Sequence, residues 1–410
     1  MRILFVSYFF PPFANATAVE RTVMLIRHLR RRGNDIAVLT ARNYTFMARD
    51  DSFLKYVPRD IWIVKPHALE PSTFLKAKDF SMAEGKSILR RFVWPDSRIF
   101  WLINAIPAGI RLVKQFKPDS IVSIAPPYTD LLLGYFLASR FKIPHFVDML
   151  DPWSDDLYGM YPSAWQKKLT FAAEKLVMQS AKGFIVATYP MKWRLTEKYP
   201  FLKPEKVENI TFGINEDLVK DVREIDYSTP FTLLYLGTMR GSHKKPLAFV
   251  EAFSDFVKEV KDARIIAVGN ISEEAKHYFL SKVPEENLEL HPYVKNERIA
   301  EFVNRAHVLW LLISRGTGFE LVMPAKTITY LGFKRPILAT VPEGWTASFL
   351  RQTGANVVDV DNSNEIFSAL SQLYHAYQRK ALSLPDKKVV NEFYYSKIAE
   401  KYESFLKSLM

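Results

Sequence analysis

Residues 313–320 read Ile-Ser-Arg-Gly-Thr-Gly-Phe-Glu and lead, three residues later, into Pro324-Ala325-Lys326-Thr327-Ile328-Thr329-Tyr330-Leu331. A loop of glycine and serine that opens a helix presents backbone N–H groups and the positive end of the helix dipole. Lys326 adds a full charge, so the segment suits a phosphate. Near the start, Ser7 to Thr17 (SYFFPPFANAT) precedes another helical stretch, where Asn15 or Thr17 can cap an N-terminus that attracts a phosphate or a developing negative charge. No G-x-G-x-x-G is present, which removes the main signature of a dinucleotide oxidoreductase. The chain has no cysteine, so disulfides, thiolate metal sites and a cysteine nucleophile are excluded, in keeping with a reducing compartment. Asp359-Val360-Asp361 has the outward form of an Asp-x-Asp metal motif but follows a short strand and reads as a solvated turn.

These loops need elements to hold them. With 410 residues the chain suits two domains. Apolar runs at residues 2–7, 36–40, 61–64, 120–124, 145–147, 184–187 and 207–210 predict buried strands, with helical stretches at 17–32, 101–116, 129–140, 164–180 and 190–198 between most of them. Strand, helix, Gly33 and strand make a βαβ unit, whose natural setting is a parallel sheet. The polar stretch 217–230 interrupts the alternation and reads as a linker. A second series follows, with strands at 231–236, 264–268, 288–290, 308–313, 336–339 and 356–358, helices at 246–258, 272–281, 296–305, 324–333, 345–352 and 363–380, and a last helix at 390–409. The expectation is an N-terminal domain over 1–216, a C-terminal domain over 231–385, and a tail, 386–410, packing back on the first. Both domains are Rossmann-like and doubly wound, facing across a cleft, with ligands beyond the carboxyl ends of the strands.

The net charge is +12, which points to an anionic partner. Basic residues gather at 27–32 and 86–117. In the second stretch Arg90, Arg91, Arg98 and Arg111 alternate with Phe92, Trp94, Phe100 and Trp101. That mixture suits an anionic bilayer surface as well as it suits a solvated helix face over an ordinary core. No nucleic-acid motif accompanies the charge, so nucleic acid is not expected as a partner. The most apolar stretch, 99–110, is too short to span a membrane and is broken by Pro107 and Gly109. The chain therefore reads as cytoplasmic, at most peripheral on the inner membrane face.

The opening MRILFVSYFFPP…ERTVMLIRHLRRRGNDIAVLT resembles that of the retaining glycosyltransferases of family four, which have the GT-B fold. Ala14 to Ala18 stand where that family has a glycine pair. Ser123-Ile124-Ala125-Pro126-Pro127 and Pro144 to Trp153 (PHFVDMLDPW) are similar to the Ser-x-x-Pro-Pro and Asp-Pro-Trp segments of one branch, with Leu150 in place of an arginine. Residues 324–331 resemble Pro-x-Lys-x-x-Glu-Tyr-Leu, with Thr329 in place of the glutamate that holds the donor ribose. Glu320 lacks the acidic partner of the commoner Glu-x7-Glu pair.

The resemblance implies a transferase that moves a sugar from a nucleotide-sugar donor to a glycan or lipid-linked acceptor in cell-surface polysaccharide synthesis. It assigns Asp148 and Asp151 to the acceptor hydroxyl, although the residues alone read as a turn capped by Asp151. Arg240 and Lys244 or Lys245, in the loop after Tyr235-Leu236-Gly237, fall against the donor diphosphate, where positive charge must meet the leaving group. Gly237, Gly269, Gly318, Glu320, Lys326 and Thr329 complete the donor site. With that cationic set no metal or other cofactor is expected. The rival readings are a degenerate partner subunit that binds nucleotide sugar without transfer, a nucleotide-sugar epimerase and a nucleic-acid-binding protein.

Overall fold

The computed structural model describes residues 1–13, 17–42, 50–69, 91–157, 159–239, 246–316 and 319–410. They divide into two compact units, Met1–Phe212 with Tyr395–Met410, and Gly213–Tyr394.

The first unit is built on a seven-stranded parallel sheet. Its strands are β1 (Arg2–Val6), β2 (Asp35–Leu39), β3 (Trp62–Val64), β4 (Ser120–Ala125), β5 (His145–Met149), β6 (Gly183–Val186) and β7 (Val207–Asn209). They lie in the order β3-β2-β1-β4-β5-β6-β7. Runs such as RILFV and SIVSIA are apolar at nearly every position because helices cover both faces of such a sheet. Ile3 of β1 pairs with Ile36 on one side and Ser120 on the other, so the strand order reverses direction at β1 and β4. Helix Thr17–Arg31 joins β1 to β2 and packs against the C-terminal helix Tyr395–Leu409.

The second unit repeats the plan with β8 (Thr232–Leu236), β9 (Arg264–Val268), β10 (Leu288–His291), β11 (Val308–Leu312), β12 (Ile337–Thr340) and β13 (Asn356–Val358), ordered β10-β9-β8-β11-β12-β13. Its reversal falls between β8 and β11. Phe249 of helix Leu247–Glu259 stacks on Trp310 of β11 with ring centroids 3.5 Å apart, at the centre of a core that also holds Phe231, Phe253 and Phe256.

The doubly wound α/β expectation is met strand by strand, with local differences. The polar stretch 217–230 belongs to the second unit. Leu218, Val219 and Val222 are buried, and its carbonyls accept hydrogen bonds: Asp221 from Asn304, Arg223 from Arg335 and Asp226 from His307. Charge hid a segment that buried apolar side chains and backbone carbonyls together tie down. The last helix begins at Tyr395, not 390, because the Phe393 carbonyl is taken by the Ile214 amide at 2.7 Å and cannot continue a helix. Among the described residues no helix is long and apolar enough to cross a membrane.

The C-terminal helix is seated on the first unit partly through Glu403, which is 4% exposed. Its carboxylate accepts from Arg32 at 2.5 Å, from Asn34 at 3.1 Å and pairs with Lys407 at 2.8 Å. Burial alone would raise the Glu403 carboxyl, but Lys407, Arg32 and Asn34 bring it down from 4.5 to about 2. A carboxyl depressed by folding stabilises fully above its unfolded value, and that contribution is lost as pH falls. Urea midpoints should therefore drop between pH 4.5 and about 2, and Glu403→Gln should be less stable at neutral pH with a shallower acid limb.

Candidate active site

Parallel sheets place ligands beyond their carboxyl ends where strand order reverses. In the second unit that point is the end of β8 beside β11. Gly237, directly after β8, has φ +140°, and Gly269, directly after β9, has φ +141°. Their backbones touch: a Cβ on Gly269 would lie 2.0 Å from the Gly237 carbonyl oxygen. No side chain fits there, and the left-handed φ also favours glycine. The two loops run on together, with the Gly237 amide donating to Val268 at 2.9 Å and the Met239 amide to Asn270 at 2.9 Å.

Lys326, in the first turn of helix Ala325–Gly332, reaches the same place. Its Nζ lies 4.1 Å from the centroid of the Tyr235 ring, and a Cβ on Gly237 would be 3.5 Å from it. From the same helix Tyr330 is buried, and its hydroxyl accepts the Leu236 amide at 2.8 Å, fixing the helix against the end of β8. Beside this cradle, at the ends of β9 and β10, opens a cavity of about 450 Å³ lined by Gly269, Asn270, Ser272, Lys276, Leu290 and His291. Its size falls in the range of small-ligand pockets.

The structure thus brings Gly237, Gly269 and Lys326 together. Thr329 lies one turn further along the Lys326 helix, its hydroxyl 3.4 Å from the Ala325 carbonyl. Glu320 is exposed on the short turn Phe319–Leu321. Arg240, Lys244, Lys245 and Gly318 lie outside the described residues, as does Asn15. Asp359 and Asp361 are both paired with Arg315, Asp361 at 2.7 Å. Among the described residues no three His, Asp or Glu side chains converge as a metal set. The role of Tyr330 and the lining of the cavity beyond Gly269 and Asn270 escaped the sequence reading. Tyr330 stood in a quoted motif, but nothing in its spacing told that its hydroxyl would clamp a strand 94 residues away.

In the first unit the loops after β1, β4 and β5 are shaped by buried groups. The Asp130 carboxylate accepts the Tyr8 amide at 2.7 Å, and burial pushes that carboxyl well above its ordinary range. Tyr128, after Pro126-Pro127, lies flat on Trp153, ring centroids 5.2 Å apart and 4° from parallel. The Tyr128 hydroxyl donates to the Pro152 carbonyl at 2.9 Å. The two motifs quoted above are therefore one packed turn. Asp151 is half-buried on it.

Asp148 is placed differently. It is 0% exposed, and both oxygens are engaged: Arg21 donates at 3.1 and 3.2 Å, Tyr402 at 3.2 Å. Burial raises the Asp148 carboxyl, and the Arg21 charge opposes it. Burial would lower the Arg21 guanidinium, but Asp148 raises it above its usual value. Arg21 also donates to the Ile210 carbonyl at 2.9 Å and to that of Thr211. Asp148 is an internal strut, and Asp151 is the carboxylate of this segment that solvent reaches.

A family model described as a glycosyl transferase 4-like domain matches residues 17–213, and one described as glycosyl transferases group 1 matches 230–376. The chain is a GT-B glycosyltransferase. Solved structures similar to this glycosyltransferase include HepE of Anabaena in complex with UDP, with a TM-score of 0.66 at 12% identity over 100% of both chains. Sucrose-phosphate synthase of Thermosynechococcus elongatus gives a TM-score of 0.68 at 12% identity over 100% of this chain and 98% of that one. The lipopolysaccharide outer core galactosyltransferase WaaB, in its apo form, gives 0.59 at 11% identity over 100% of both. At such identities the likeness is one of fold. No curated protein matches the chain.

Two substitutions distinguish the buried strut from the half-buried carboxylate in this glycosyltransferase. Asp148→Ala strands a buried guanidinium and should cost about 3–5 kcal/mol in chemical denaturation, whereas Asp151→Ala should cost under about 1 kcal/mol. Gly269→Ala should force the Gly237 loop away and abolish ligand-induced stabilisation, read by thermal unfolding with and without nucleotide.

Proposed function

We propose that the chain transfers a sugar, with retention of anomeric configuration, from a nucleotide-sugar donor to a glycan or lipid-linked acceptor in cell-surface polysaccharide synthesis, as a peripheral protein of the inner membrane face. The observation that carries the donor half is the meeting of Gly237, Gly269 and Lys326 at the strand-order reversal of the second unit, beside a cavity of about 450 Å³. In this reading the glycines let the diphosphate approach backbone N–H groups. Lys326 and the N-terminus of its helix meet the charge, and the cavity takes the nucleoside. Arg240 and Lys244 or Lys245 join from the loop that follows Met239. The ribose is left to Thr329 or Glu320. HepE, similar in fold, was solved with UDP, which makes UDP the first ligand to try.

Chemically, the acceptor hydroxyl attacks the anomeric carbon from the face the diphosphate leaves. The carbon–oxygen bond to the donor phosphate breaks, and a phosphate oxygen takes the hydroxyl proton. Cations stabilise the nucleoside diphosphate more as its charge grows, which is the condition for lowering the barrier. Asp151, half-buried at the turn after β5, is the first-unit carboxylate assigned to orienting the acceptor hydroxyl. Asp148 then acts only by holding that turn in place.

The test is thermal unfolding against UDP, GDP, ADP, CMP and TDP. The matching nucleotide, at a hundredfold excess over its Kd, should add about 2.7 kcal/mol, and Lys326→Ala should remove the shift. Asp151→Asn should keep the shift and lower transfer roughly a hundredfold. Donor turnover without acceptor would favour the epimerase reading, and no response to any nucleotide would favour a partner subunit.

A further inference from the structure

Helix Ala164–Ser180 follows the Asp151-Pro152-Trp153 turn and carries two apolar faces. One is covered: Gln166, Thr170, Ala173 and Val177 are buried against the rest of the unit. The other is not. Trp165, Leu169, Ala172 and Leu176 recur at intervals of four, three and four, which places them within an arc of about 60°. Trp165, Leu169 and Leu176 are 47%, 41% and 46% exposed. A contiguous apolar stripe in water is a mark of something that covers it.

The charges beside the stripe say what. Lys168 and Lys175 of this helix are exposed along one edge of the stripe. Its one carboxylate, Glu174, is buried and occupied, accepting the Ser154 hydroxyl and the Tyr199 hydroxyl and pairing with Lys198 at 3.0 Å. The outward face is therefore cationic with no compensating acid. A neighbouring strap closes the covered side. The Val93 carbonyl accepts from Gln166 at 2.9 Å, and the Trp94 indole N–H donates to Thr170 at 2.8 Å. Phe92, 75% exposed, and exposed Arg91 precede those anchors in sequence.

From this we infer that the outward face of helix Ala164–Ser180 docks on an anionic lipid bilayer. Tryptophan and leucine enter the headgroup boundary, and lysines meet lipid phosphates. A second copy of the chain is the poorer occupant, because a two-fold contact would set these lysines against lysines. Glu174, on the inner side of the same helix, holds Ser154 three residues past Asp151. Docking therefore sets the turn assigned to the acceptor one helix diameter, ~10 Å, behind the bilayer surface. The inference deepens the reading of a lipid-linked acceptor and rests on it for its purpose. The assay reads binding rather than turnover, so the two can fail separately.

The experiment is co-sedimentation of the full chain with phosphatidylcholine vesicles, with and without phosphatidylglycerol. The chain should bind the anionic vesicles and release at high salt. Leu169→Ser with Leu176→Ser, and separately Lys168→Gln with Lys175→Gln, should each weaken binding roughly tenfold. Both variants should keep the parent's thermal midpoint and nucleotide response, since these side chains face outward. Failure to bind either vesicle, binding indifferent to phosphatidylglycerol, or variants that bind like the parent would each overturn the inference. So would a parent that self-associates through this face, with the apolar variant turning monomeric and vesicle binding unaffected.

Discussion

The fully buried Arg21 guanidinium is satisfied by two segments far from it in the chain, and a third braces its carboxylate partner. Asp148 comes from β5, the carbonyls of Ile210 and Thr211 follow β7, and Tyr402, which donates to Asp148, comes from the C-terminal helix. Removing a guanidinium and a carboxylate from water is costly, and their attraction repays it only when the remaining donors also find acceptors. Here they do, so the arrangement tolerates little displacement. The helix after β1, the floor of the sheet, the exit from the last strand and the returning helix must all arrive together. The loops that carry Tyr8, Tyr128 and Asp151 are built on the strands so fixed.

In the second unit the constraint is steric instead. Two backbones meet at Gly237 and Gly269, closer than any side chain permits, and Lys326 lies against the ring of Tyr235 just beside them. Tyr330 fixes the helix that delivers Lys326 through the amide of Leu236. One helix turn thus supplies both the charge beside the two glycines and the bond that sets its distance from the strand.

Much of this was legible in the sequence, for identifiable reasons. Strands of a parallel sheet are covered on both faces, so FTLLYL and RIIAV announce themselves as apolar runs, and a glycine after each marks where the chain turns. Asp148 was not legible, since its partners stand 127 and 254 residues away and a carboxylate at a strand end looks the same whether it faces a ligand or a buried arginine. The stretch 217–230 was misleading because its polar side chains face water while its carbonyls do the binding. Periodicity alone showed that the helix over 164–180 would form, not which of its two apolar faces the protein would leave open.

The contact between Gly237 and Gly269 is made by backbone alone, so the side chains beyond it are released from any duty to maintain it. Asn270, Ser272, Lys276 and His291 line the cavity without entering that contact. A lineage can therefore exchange them, and with them the shape and polarity of the cavity, while the backbone contact stays as it is. The fold separates vocabulary from grammar: what is named can drift, and how it is held cannot.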